Sequence, residues 1–115
     1  MEGSIEVKAI KIRNLTHLKS VLKQGSCFEI VQHSLHPEFT GQIRQLSKVQ
    51  TNGFYSTIYQ DPTHKVSHAN GGLGYWMAYQ KASNWEFNGE ICTCWRDTRG
   101  YREKVWEIRV LDLQN

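Results

Sequence analysis

Three sets of residues have types and spacings that could do chemistry. His33-x-x-His36 and His64-x-x-x-His68 stand at separations that can chelate a metal ion. Cys92-x-Cys94 could add two thiolates on one strand face. No Cys-x-x-Cys accompanies them, and both histidine pairs fall in or beside predicted loops. The expected reading is solvent-exposed loop histidines and thiols of a core, with no metal and no cofactor. Nucleophilic catalysis needs a cysteine or serine with a histidine in reach. The sequence has no Gly-x-Ser-x-Gly elbow and no cysteine in a recognisable catalytic context. The 11 carboxylates are scattered, and Glu86 and Glu90 flank a turn rather than forming an acid–base pair. The chain is therefore expected not to be an enzyme.

Asn70-Gly71-Gly72-Leu73-Gly74 is glycine-rich. Phosphate-cradling loops lead from a strand into a helix. This one leads into Tyr75-Trp76, an expected strand, and the lysine of a phosphate loop is missing. A flexible hairpin or lid fits better.

The aromatic and basic residues are more informative. Four tryptophans, five tyrosines and four phenylalanines load a chain of 115 residues, and most must build the core. Tyr55, Tyr59, Tyr75, Trp76 and Tyr79 flank residues 60–74 on both sides, and Trp85 and Trp95 flank a second hairpin. Tyrosine and tryptophan concentrate at protein interfaces and on nucleic-acid stacking platforms. Arg44, Lys48, Lys65, Lys81, Arg96, Arg99 and Arg102 come from the same part of the chain. The candidate binding surface is thus Tyr55, Tyr59, Lys65, Tyr75, Trp76, Tyr79 and Lys81 with Arg44, Lys48, Arg96 and Arg99. The competing reading is ordinary core packing with a solvated basic rim.

The elements that must position these residues follow from periodicity. Residues 5–12 alternate, then change parity, which predicts one strand with a bulge near Ala9 and Ile10. Asn14 is an N-cap ahead of Leu15, Leu18, Val21 and Leu22 at helical spacing. With Gly25 as the C-terminal cap, the spacing predicts a helix over 15–24. From Cys27 to residue 113 the pattern is antiparallel β. Asn52-Gly53 and Asn88-Gly89 each sit between β-rich runs and predict hairpins with type I′ turns. Trp106, Ile108 and Val110 form the expected core face of the last strand. The sum is one mostly-β (α+β) domain over 1–115, with about seven strands and one N-terminal helix. The expected architecture is a strongly bent antiparallel sheet or a small SH3-like barrel, since residues 28–59 have the element lengths of the first half of such a barrel. A ferredoxin-like or other α+β sheet is the alternative.

Charge and cysteine content narrow the class. The net charge is +3 and the isoelectric point about 8.8, mildly basic and spread along the chain. Mean hydropathy of −0.56 and the lack of a long apolar run predict no membrane span. Three cysteines and no leader at Met1-Glu2-Gly3-Ser4 predict a reducing, cytoplasmic setting without disulfides.

Residues 41–55, GQIRQLSKVQTNGFY, and 81–87, KASNWEF, resemble small proteins of phages and prophages of Gram-positive bacteria. That resemblance implies an accessory protein made in the host cytoplasm, of a kind that blocks a host defence, as anti-CRISPR inhibitors do, or sequesters a signalling nucleotide. The expected partner is a host protein or ribonucleoprotein complex. Direct binding of DNA or RNA, and a nucleotide sponge with its ligand at a homodimer interface, are the alternatives.

Overall fold

In the computed structural model, which describes residues 6–60 and 74–114, the chain is organised around its last strand. The elements are β1 (Glu6–Ala9), α1 (Leu15–Val21), β2 (Cys27–His33), a 3-10 turn at Pro37–Phe39, β3 (Ile43–Gln50) and β4 (Gly53–Gln60). They continue with β5 (Tyr75–Ala78), a 3-10 turn at Ala82–Asn84, β6 (Trp85–Asn88), β7 (Ile91–Thr98) and β8 (Tyr101–Gln114). β8 is 14 residues long. One of its edges pairs with β2; the other pairs with β7 and then, further along, with β1.

All eight strands form one antiparallel sheet in the order β5-β4-β3-β2-β8-β7-β6, with β1 on β8. This order forces a strong bend. Six interstrand steps of roughly 4.8 Å would put β5 and β6 about 29 Å apart in a flat sheet. Yet only residues 79–84 join them. The seven virtual bonds from Ala78 to Trp85 reach at most about 25 Å fully extended, and a 3-10 turn within them shortens that reach. The sheet curls and brings its end strands toward each other. It does not close: among the described residues no ladder joins β5 to β6. The expected mostly-β fold with one helix is present, as an open curl of eight strands.

The core fills the curl. Phe28 and Ile30 of β2, Leu46 of β3, Phe54 of β4, Met77 of β5, Cys92 and Cys94 of β7, and Trp106, Ile108 and Val110 of β8 are buried together. The last three are the face that parity selects. α1 covers this core with Leu18 and, just past its end, Leu22, both almost inaccessible. Asn14 caps α1 as expected, its Oδ1 accepting the His17 N–H at 2.8 Å. The helix is shorter than 15–24, because Leu22 is already extended at φ −87° and ψ 92°. Two turns are too few for a helix to persist alone in water, so packing of the leucines holds it. No described helix is long and apolar enough to cross a membrane.

Two local expectations are corrected. The parity change near Ala9 is not a bulge, because β1 simply ends there. The Ile10 N–H donates to Val110 O, and the Ile12 N–H then crosses to Gly89 O, which buries Ile12. The Asn-Gly pairs do mark hairpins, but neither has a type I′ turn. The first loop is Thr51–Asn52, closed by the pair Gln50 and Gly53, and neither Asn52 nor Gly53 has positive φ. Gly53 is needed for space: a Cβ there would lie 2.5 Å from Met77 O and from the Trp76 ring. The second loop is Gly89–Glu90, with positive φ only at Gly89. The turn with positive φ at both central residues is Arg99–Gly100, at 47° and 89°.

Candidate functional site

Strand alternation divides the candidate residues between two faces of the sheet. On the outer face, Tyr55 of β4 stands opposite Trp76 of β5, their ring centroids 4.9 Å apart. Lys48 of β3 is paired with Tyr55 on its other side. Tyr59, 43% exposed, stands further along β4 at a slip in the β3–β4 register between Ile58 and Gln60. The missing side chain of Gly53 is what lets the Trp76 indole lie down on the strand.

Three candidates turn inward instead. Tyr79 is core: it is 2% exposed and its ring packs on Phe54 at 5.4 Å. Burial pushes its phenol up to about 12. Its carbonyl accepts the indole N–H of Trp85, tying the end of β5 to the start of β6. Arg44, expected at a basic surface, is 4% exposed. Its Nε donates to Ser56 Oγ at 2.7 Å, Nη2 to Ser56 O at 2.7 Å and Nη1 to Gln42 Oε1 at 2.8 Å. Tyr75 is half-buried in the same region.

Arg44 and Tyr75 belong to a polar end of the curl that the sequence does not announce. His33 lies at its centre. It is no exposed loop histidine: it closes β2 and is 1% exposed. The register of β2 on β8 slips between Ile30 and Gln32, so that Phe28, Ile30 and His33 face Val110, Ile108 and Trp106 in turn. This bulge turns His33 onto the core side. The rings of His33, His36, Phe39 and Tyr75 contact each other in every combination, at centroid distances of 4.7 to 5.5 Å. The Arg44 guanidinium lies 5.2 Å from the Phe39 ring. Burial, helped by the positive surroundings of His36 and Arg44, lowers the His33 imidazole to about 4. Its Nδ1 accepts the His36 N–H at 3.1 Å.

The remaining candidates lie elsewhere. Arg96 and Arg99 are on the β7–β8 hairpin, which continues past the ends of the β6 and β2 ladders as a two-stranded ribbon. Arg96 is ion-paired with Glu103, and Arg99 sits in the turn. At the ribbon's base, Arg102 and Lys104 lie 5.3 and 5.7 Å from the Trp95 ring. The Trp95 indole N–H donates to Glu86 at 2.7 Å. Trp95, Glu86, Thr93, Lys104 and Glu107 line an open groove of about 600 Å³. Its polar groups bond one another: Thr93 donates to Glu107 at 2.8 Å, and Lys104 pairs with Glu107 at 3.5 Å. Lys81 is exposed in the β5–β6 connector. Lys65, His64, His68 and the glycine-rich run 70–73 lie outside the described residues, and Gly74 is buried.

The cysteines are core residues. All three are buried and free, and burial pushes Cys92 and Cys94 up to about 12. Their thiols stay protonated at neutral pH and are poor nucleophiles. Among the described residues, no three His, Cys, Asp or Glu side chains stand close enough to hold a metal ion.

No family model, curated protein or solved structure matches this chain.

Proposed function

We propose that this chain is a non-catalytic binding protein that docks on a protein or protein–nucleic-acid assembly of a host cell through the outer face of β3–β5. The observation that carries the reading is the Tyr55–Trp76 pair. Two large amphipathic rings lie side by side on the solvent side of the sheet, over a glycine that makes room for one of them. Lys48, paired with Tyr55 across the ladder, borders it. Such rings give large contact area at low entropy cost, and they dominate the energetics of many interfaces. Among the described residues only Lys48 brings a positive charge beside this pair, too little to make nucleic acid the first choice of partner for the face. The resemblance to phage and prophage accessory proteins supplies the setting, the cytoplasm of a bacterial host, and the role, inhibition of a defence assembly. Co-elution from a sizing column with purified defence or replication complexes tests it. Trp76→Ala with Tyr55→Ala should abolish the complex while leaving the fold intact.

The β7–β8 ribbon favours a second reading, direct contact with nucleic acid. It carries Arg96, Arg99 and Arg102, with Tyr101 65% exposed near its tip. Replacing the three arginines by glutamine should weaken any mobility shift of DNA or RNA, and the wild-type affinity should fall steeply with salt. A salt-independent affinity would remove this reading.

A further inference from the structure

We infer that the open groove at the base of the β7–β8 ribbon is a binding site for an uncharged saccharide, with the Trp95 indole as its stacking surface. This site rests on neither reading above, and each can fail without the other.

Two bulges build the groove. β8 carries one at Val105, where its register on β7 slips from Cys94–Trp106 to Trp95–Lys104. An undisturbed β8 would send Lys104 to the core face with Trp106. The slip turns it outward, opposite Trp95 and onto the side of Glu107, which its ammonium meets at 3.5 Å. β2 carries the other bulge, and its extra residue, Val31, lines the same groove. Bulges re-aim side chains and gather beside functional sites. Here both border one trough of about 600 Å³, the size of a small-ligand site.

The indole is fixed in place. Its N–H donates to Glu86 at 2.7 Å, and Arg102 and Lys104 lie against its ring. Val31 and Ile91 add aliphatic lining. A rigid aromatic wall with aliphatic neighbours suits the C–H face of a sugar ring, through dispersion and area removed from water. The polar lining suits its hydroxyls. Thr93 and Lys104 both meet Glu107 at Oε2, and Trp95 meets Glu86 at Oε1. Each carboxylate keeps a second oxygen that can accept, and the Asn88 amide adds donors.

Charge selects against other ligands. Glu86 and Glu107 are balanced by Lys104 and the neighbouring Arg102. Two carboxylates in the lining oppose an anion, including the phosphate of a nucleotide. Two cations already on the Trp95 ring oppose a third. A neutral ligand with an apolar face and a hydroxylated edge meets neither penalty.

NMR of the tryptophan indole N–H groups in the full chain tests this. Trp95→Phe assigns the Trp95 resonance among the four. The probes are tetrasaccharides of glucose, of galactose and of N-acetylglucosamine, with adenosine, inorganic phosphate and spermidine as contrasts. At least one tetrasaccharide should move the Trp95 resonance, equally at low and moderate salt, since no charge is screened. Calorimetry with that tetrasaccharide should show affinity about ten- to a hundredfold weaker in Trp95→Ala. Trp95→Phe, which keeps a smaller ring, should recover part of the loss. If no tetrasaccharide up to millimolar concentration moves the resonance, the inference is overturned, whether or not the variants fold. A response confined to adenosine, phosphate or spermidine overturns it too, as does undiminished tetrasaccharide binding in a folded Trp95→Ala.

Discussion

At the scale of residues, His33 and Arg44 define the polar interior and also the limit of the sequence reading. Arg44 was expected at a basic surface and Tyr79 at a binding one, yet both are buried. Composition could not separate them from Tyr55 and Trp76, because face depends on register. Bulges at Val31 and Ser47 reset that register without a sequence signal. The buried histidine makes a sharp stability prediction. Its folded pKa of about 4 lies below the ordinary 6.5, so the fold favours the neutral ring. The contribution is complete above pH 6.5 and is lost as pH falls from there toward 4, by roughly 3 kcal/mol. Urea unfolding at pH 7, 5.5 and 4.5 should show this loss. The difference between wild type and His33→Phe should isolate it from the carboxylates that titrate in the same range. Parallel pH profiles for the two proteins would refute the assignment.

At the scale of elements, the sequence placed most strands and the N-cap of α1, because alternation and capping are local. It also placed both Asn-Gly hairpins, but for the wrong physical reason. Gly53 is required by the Trp76 ring and the Met77 carbonyl across the ladder, a contact between residues 23 and 24 positions apart that no turn rule contains. Gly53→Ala should therefore destabilise by about 1–3 kcal/mol through overpacking. It should also shift the Trp76 fluorescence. Trp76→Ala should relieve only part of the cost, since the Met77 carbonyl stays in place. α1 provides a second test. Leu18 is inaccessible under a helix of seven residues, so Leu18→Ala should cost about 2–5 kcal/mol. Asn14→Ala should cost about 0.5–2 kcal/mol through loss of the cap. Chemical denaturation measures both, and equal effects would contradict the view that packing rather than capping holds the helix.

At the scale of the whole molecule, the fold is an open curl whose end strands are neighbours in sequence. Strand order was not legible. Nothing local indicates that β8 lies between β2 and β7, or that β1 shares an edge of β8 with β7. The same curl separates the chemistry. It leaves Tyr55, Trp76 and Lys48 outside, puts His33 and Arg44 inside, and extends the arginine ribbon away from both. The single basic aromatic surface expected from the sequence is therefore divided among three separate regions. The central claim is that the outer face of β3–β5 is where the chain docks, and the decisive measurement is a sizing-column comparison with purified host defence and replication complexes. The wild-type chain should co-elute with one of them, His33→Phe should do the same, and the Tyr55→Ala, Trp76→Ala double variant should elute alone while keeping the wild-type circular dichroism spectrum. Co-elution that survives in the folded double variant, or a wild-type chain that joins none of the complexes, would contradict the account.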